Sequence, residues 1–384
     1  MLGEQELKDL TGRAIEMSQA EQTEVCVFSP HSALTRFANN YIHQNVEQQD
    51  VDVRVRAVVG KKIGVASSND ISDDGLRAAV ERALTLAHHQ VANPDFRSLP
   101  GPQPVQAAGG YAERTARTGP EERAAVVATI CDAASRAGLT AAGAFRTAVA
   151  EMAVANSLGV FAYHRDTMAD INTVVMGAQG SGHAERVSFD VGDIDGDEVA
   201  REAVDKALRN VNPIALPPGE YDVIFQEYAV ADILDFFAYL SFGAQAYQEK
   251  RSFMAGRLSE RVMGENIDIW DDGLARDTAP NPFDWEGVPR QRVDFVERGI
   301  ARDVVWDSYC AGKEKRESTG HALPAGNTFG PVPSNMFLAT GDATLDDMVA
   351  STKRGVWVSR FWYTRPVHPL NVVVTGMTRD GTFL

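Results

Sequence analysis

Between residues 51 and 66 the chain alternates and turns in a way that paired strands satisfy and helices do not. Val51-Asp52-Val53-Arg54-Val55-Arg56 alternates apolar and charged side chains strictly, the period-two mark of a half-buried strand. Gly60-Lys61-Lys62 supplies a turn, and Ile63-Gly64-Val65-Ala66 returns as the next strand. Upstream, Val25-Cys26-Val27-Phe28 reads as a short strand ended by Ser29-Pro30. Leu34 to Gln44 is strand-like with an interruption at Asn39-Asn40. Helices are set around these strands. Residues 4 to 20 repeat Leu7, Leu10, Ala14 and Met17 at helical spacing. Ser72 is an N-cap ahead of Asp73 and Asp74, Thr118-Gly119-Pro120-Glu121 is a second helix start, and Asp195 caps a third helix. Thr140 to Phe189 is strand-rich, with a hairpin turn at Asn156-Ser157-Leu158-Gly159. Paired strands with helices laid on them, rather than a regular β-α-β alternation, give an α+β fold.

A chain of 384 residues is long enough for two domains. The clearest punctuation is Pro213, Pro217, Pro218 and Gly219, so the expected boundary falls there, with domains 1–212 and 213–384. The first has an antiparallel sheet with helices; the second is a strand-rich, mixed-sheet domain. The second contains an apolar helix from about Tyr228 to Leu240 and a hairpin of Arg292 to Glu297 and Ile300 to Trp306, joined at Arg298-Gly299. Asn371 to Thr375 reads as a buried strand, and Asp380-Gly381 as a hairpin turn into Thr382-Phe383-Leu384. That reading leaves the returning strand truncated and predicts a chain that continues.

The net charge of -16 disfavours nucleic-acid binding, which usually shows a basic face. Val230 to Tyr247 is the most apolar stretch, but Asp232 and Asp235 interrupt it, so no membrane span is expected. Three widely separated cysteines, Cys26, Cys131 and Cys310, and no signal-like N-terminus point to the cytoplasm.

A zinc peptidase needs clustered ligands and a base beside the metal-bound water. None of the eight histidines is followed by Glu, and none lies between His183 and His321. His88-His89 reads as a solvated helix end, where His suits the dipole. Cys310 with His321 and Asp307 could form a thiol nucleophile only if they meet in space; the alternative is a small buried residue and a hydrogen-bonded loop histidine. Gly177 to Gly182 reads as a strand connection, not a phosphate cradle. Trp357, Phe361, Trp362 and Tyr363 could line a peptide groove, but core or subunit interface is the favoured reading.

Several segments, in order, resemble one family. These are Leu34-Thr35-Arg36-Phe37-Ala38-Asn39-Asn40-Tyr41-Ile42-His43-Gln44, the turn Asn156-Ser157-Leu158-Gly159, Pro282-Phe283-Asp284-Trp285-Glu286-Gly287-Val288-Pro289, and Ser318-Thr319-Gly320-His321-Ala322. Together they are similar to the TldD/PmbA family, in its PmbA/TldE-like branch. The resemblance implies a cytoplasmic metallopeptidase assembly acting on unfolded peptides and peptide precursors. The TldD-like partner carries zinc on a His-Glu-x-x-x-His helix. The matching position here is Leu234-Asp235-Phe236-Phe237-Ala238-Tyr239, with no His. The implied role is therefore a non-catalytic partner subunit with no metal or other cofactor of its own. The alternative is a self-standing homodimer that binds or hydrolyses peptides. Asn40, Arg251 and His321 are the candidate peptide or partner contacts.

Overall fold

The computed structural model describes residues 1–276 and 278–384. In the first half the elements are α1 (Glu4–Glu16), β1 (Gln22–Ala38), β2 (Tyr41–Gln49), β3 (Asp52–Val59), β4 (Lys62–Ser68), α2 (Asp73–His89), α3 (Glu113–Ala116), α4 (Pro120–Arg136), β5 (Thr140–Asn156), β6 (Phe161–Met176), β7 (Ser181–Ser188) and α5 (Gly196–Arg209). Then come β8 (Asp222–Phe225), α6 (Glu227–Leu240), α7 (Ala244–Gln248), β9 (Ile269–Asp271), β10 (Val293–Glu297), β11 (Ile300–Ala301), α8 (Ser308–Glu314), β12 (Met336–Leu338), α9 (Leu345–Ser351), β13 (Gly355–His368) and β14 (Val373–Phe383).

The expected α+β class holds. Strands β1–β7 form one antiparallel seven-stranded sheet in the order β4-β3-β1-β5-β6-β7, with β2 also on β1. The later strands form a four-stranded antiparallel sheet, β11-β10-β9-β12, and a mixed sheet, β14-β13-β8, in which β8 runs parallel to β13.

Side-chain parity explains the layering. Odd-numbered residues of β1 and β5 face the helices: Val25, Val27 and Ala153 pack with Leu7, Leu10 and Leu76, while Phe37 and Phe145 pack with Ile130 and Val199. Even-numbered residues face the other way, where Cys26, Met152 and Val154 close on Phe283 and Trp285 of the second half. Two glycines bring helices close to strands at opposite ends of the β4-to-β7 ladder. A Cβ on Gly64 of β4 would overlap backbone atoms of Ala83 and Ala87 of α2. One on Gly182 of β7 would overlap the Ala203 carbonyl of α5.

The structure corrects several expectations. Pro30 does not end the first strand; β1 runs through it and pairs with β5 from Glu24 to Phe37. On its other side β1 changes partner there, from β3 (last pair Phe28↔Asp52) to β2 (first pair His31↔Gln49), and the Pro30 carbonyl accepts from the Asp50 N–H at 3.0 Å. A residue's nitrogen and carbonyl face the same side of an extended strand. The missing N–H therefore falls at the switch, where no ladder bond is due. Asn39 and Asn40, at φ 52 and 62, make the two-residue turn to β2.

The expected helix to residue 20 stops at Glu16. The Ser18 hydroxyl there accepts from the Ala20 N–H and bonds the Thr23 hydroxyl, which turns the chain into β1. The expected arm Ile300 to Trp306 is a strand only over Ile300–Ala301, because Val305 bridges to Gly243 instead. Asp380-Gly381 is not a hairpin turn. It lies inside β14 as a bulge between the pairs Val358↔Thr382 and Arg360↔Arg379, and the turn falls at Pro369–Asn371 with Val372 left-handed. Asp380 is held in the bulge by Arg360 and by the Ser181 hydroxyl at 2.6 Å.

Candidate functional site

Helix α6 is apolar along most of its length and lies against β13. Leu234 and Phe237 pack against the core of Phe242, Phe253 and Trp306. Beside it a groove of about 700 Å³ is lined by Val230, Ile233, Leu234, Phe237, Met263 and Leu338. Such a surface suits apolar side chains of a peptide. Its donor set does not suit a catalytic zinc. Helix α6 carries no His or Cys; its carboxyls are Glu227, Asp232 and Asp235, and burial raises the last two above their ordinary value. Among the described residues no three His, Cys, Asp or Glu side chains converge to hold a metal ion.

A second polar cluster sits under the second half. Asp271 ends β9, and His321 lies in the loop after α8; both side chains are fully buried. His321 Nε2 lies 2.9 Å from Asp271 Oδ1, and Nδ1 lies 3.0 Å from the Thr319 hydroxyl. The other Asp271 oxygen accepts from the Ser334 and Asn335 N–H groups, at 2.8 and 2.7 Å. Burial pushes His321 down, so it is neutral. Burial alone would push Asp271 up, but the hydrogen bond from His321, that from the Asn335 N–H and the nearby Arg290 guanidinium hold it below the usual range. This neutral imidazole donates Nε2–H to the carboxylate, and the unit ties two loops to β9.

A third cluster joins the two halves. Arg56 of β3 bonds Glu24 of β1 and, at 3.1 Å, Glu286 of the 282–289 loop. The other oxygen of Glu286 accepts from the Ser308 N–H at 3.1 Å. Sequence reading took Arg56 as the open face of a half-buried strand. That face is closed by the second half, whose residues arrive more than two hundred positions later, so periodicity could not reveal it. The local signal was Glu24 itself, a charge beside the apolar run Val25 to Phe28.

The three candidate contact residues are not brought together; among the described residues no hydrogen bond links one to another. Asn40 is half-buried in the β1–β2 turn, where its amide donates to the Leu139 carbonyl (2.9 Å) and accepts from the Ala141 N–H (2.6 Å). Arg251 is on the surface, paired with Glu249 at 2.6 Å. His321 is only 1% exposed. Nor do Cys310 and His321 form a nucleophilic pair, since Asp271 and Thr319 engage both ring nitrogens. Cys310 is buried at the start of α8, its N–H capped by Asp307, and burial pushes its thiol well up. Of the segment Gly177 to Gly182 expected to connect strands, Gly177 to Gly180 is the β6–β7 connection, while Ser181 and Gly182 already belong to β7. Of the aromatic run, Trp357 stacks on Phe383 and Phe361 meets Phe225 at a tilt, while Trp362 and Tyr363 are exposed.

Comparison with known proteins fits this architecture. Three family models cover most of the chain: PmbA/TldA metallopeptidase domain 1 over residues 25–87, the central domain over 113–211, and the C-terminal domain over 218–384. The chain belongs to the PmbA/TldD metallopeptidase family. A Metalloprotease PmbA homolog of Haemophilus influenzae is 26% identical over 337 residues, which is 83% of this chain and 73% of that protein. A Metalloprotease TldD homolog of the same organism is 28% identical over 179 residues, 44% of this chain and 36% of that protein. The crystal structure of TldE from Thermococcus kodakarensis superposes with a TM-score of 0.85 at 20% identity, covering 94% of this chain and 84% of that one. No described helix is long and apolar enough to cross a membrane.

Proposed function

We propose that this chain is the PmbA/TldE-like subunit of a cytoplasmic complex with a TldD-type metallopeptidase chain, and that it holds no metal itself. In this reading the complex cleaves unfolded peptides or peptide precursors. The partner supplies zinc, and with it an activated water; α6 and its groove supply apolar wall for the bound peptide. The observation that carries the reading is the composition of α6: Leu234 to Tyr239 offers Asp235 as its only metal-capable side chain, in the segment matching the partner's His-Glu-x-x-x-His helix. The Haemophilus relatives, one a PmbA and one a TldD homolog, support a two-chain family. Three buried free thiols fit a reducing compartment. Arg251 is exposed enough for a partner to reach without rearrangement, and Asn40 would act by holding the β1–β2 turn.

The test is reconstitution. This chain is mixed with a cognate TldD-type chain, and proteolysis of an unfolded peptide is followed with and without a chelator. Cleavage is expected from the mixture alone, and elemental analysis of the isolated chain is expected to show no stoichiometric zinc. Chelator-sensitive cleavage by this chain alone, or one tightly held zinc per chain, overturns the proposal.

A further inference from the structure

The Glu24–Arg56–Glu286 contact is part of a larger charged group with an uneven balance. β1 contributes Glu24 and Cys26, and β3 contributes Arg54 and Arg56. The 282–289 loop contributes Asp284 and Glu286, and the N-terminus of α8 contributes Asp307. Four carboxyl groups therefore gather in one buried region. Of the arginines, Arg54 is engaged by Asp52 at 3.3 Å and by the Ala325 carbonyl at 3.3 Å. Arg56 is left to serve two carboxylates at once. Arg290 is buried near Asp284 and is shared with Asp271. The strand neighbours offer no further charge at this spot: Met152, Val154 and Ala162 of β5 and β6 are apolar. His164, further along β6, is turned to the Pro280 carbonyl.

The loop depends on these groups for its shape as well as its docking. Asp284 Oδ1 accepts from the Glu286 and Val288 N–H groups at 2.9 and 3.0 Å, and Oδ2 accepts from Ala322 N–H at 2.8 Å. The Cys26 thiol donates to the Trp285 carbonyl at 3.2 Å, and the Trp285 ring meets Phe28 edge-on. Glu24 is 1% exposed and Asp284 fully buried, so each charge there is stripped of water.

We propose that this cluster is a proton-dependent latch: the 282–289 loop is held firmly on β1 and β3 while the cluster carries an extra proton, and loosens when that proton leaves. The sign follows from linkage. Burial pushes Glu24 from 4.5 up to about 7, against the pull of Arg56, and burial likewise raises Asp284. When the loop lifts, water reaches Glu24 and its affinity for the proton falls. The closed form therefore binds more protons than the open one between those limits. Acid keeps the latch shut, and rising pH opens it until Glu24 is ionised in both forms. Opening frees the Cys26, Phe28 and Met152 face of the first sheet and loosens its joint with the second half. This holds whether or not a TldD-type partner is required.

The experiment is hydrogen–deuterium exchange of the intact chain from pH 5 to pH 8, corrected for intrinsic exchange rates. The probes are the Glu286, Val288 and Ala322 amides. The reference is Ala153 in β5, inside the sheet between β1 and β6. Opening of the loop is expected to rise roughly tenfold per pH unit below pH 7 and then level off, while the reference changes less. Glu24→Gln, which keeps the shape and removes the titration, is expected to make the profile shallower. Should that variant fail to fold, the wild-type profile decides. A wild-type loop whose opening is flat with pH, or that moves in step with Ala153, overturns the latch. So does a folded Glu24→Gln protein with an unaltered slope.

Discussion

Alanine at Gly64 should be severely destabilising, and the reason is geometric rather than conformational. Gly64 has an ordinary strand backbone, so the added methyl group is not excluded by φ. It is excluded by α2. The new Cβ would overlap the Ala83 carbonyl oxygen and the Ala87 nitrogen, and would lie 2.9 Å from the Leu86 carbonyl carbon, where ordinary contact begins at 3.4 Å. All three atoms belong to helix backbone, so no rotamer change relieves the clash. The helix must move outward, which loosens the seating of Leu76, Ala79, Val80 and Ala83 on Val53, Val55 and Ala57. Overpacking of this kind costs about 1–3 kcal/mol, and the rigid neighbour places this case near the top. Gly12 of α1 is the control: a Cβ there meets nothing within 4 Å, and alanine in a helix is better than glycine by about 0.5–1 kcal/mol. The same substitution should thus lower the urea midpoint at Gly64 and raise it at Gly12, with the transition slope unchanged. A Gly64→Ala protein within about 0.5 kcal/mol of wild type would refute the close seating of α2 on β4.

Glu151→Ala removes the acceptor for the Leu2 and Gly3 N–H groups and the Tyr163 hydroxyl, held at 2.7, 3.0 and 2.8 Å. It should cost about 2 kcal/mol and speed amide exchange in α1 more than elsewhere; uniform acceleration would contradict it. Asp271→Ala leaves His321 and two backbone donors without their acceptor and should cost at least about 1–3 kcal/mol, the penalty for a buried unsatisfied donor, in a denaturant titration. A near-neutral result would mean that the pair does not hold the β9 loops. Cys310→Ser should leave peptide turnover in the reconstituted complex unchanged, since the thiol is buried and both burial and the neighbouring Asp307 carboxylate push it well up, away from the thiolate. Lost turnover in a folded, assembled variant would revive a thiol mechanism.

What the sequence made legible is what repeats locally. The alternation of Val51 to Arg56, the caps at Ser72 and Asp195 and the turn at Asn156 each depend on neighbours a few residues away, and each stands where it was read. The failures share a different cause. Pro30 reads as a breaker until one knows that β1 changes partners beside it. Asp380-Gly381 reads as a turn until Arg360 and Ser181 are seen to hold Asp380 in a bulge. The ion cluster joining the halves was invisible for the same reason. Glu24, Arg56 and Glu286 come from three distant segments, and nothing in the spacing of any one announces the other two. The resemblance located the Asp284-Trp285-Glu286 block but not what it touches.

The position of β1 also bears on how the chain is made. Its longest partnership is with β5, which begins only at Thr140, so a ribosome must complete more than a third of the protein before β1 meets its central neighbour. Until then the emerging β1–β4 group can pair only among itself. The apolar residues Val25, Val27 and Phe37 then lie along an edge with no strand beside it. The entropic cost of closing that long loop adds to the delay. Nascent chains stalled before Asn156 should therefore be the species that holdase chaperones bind and that aggregate when released early. Chains stalled after β6 should already resist protease across the first sheet.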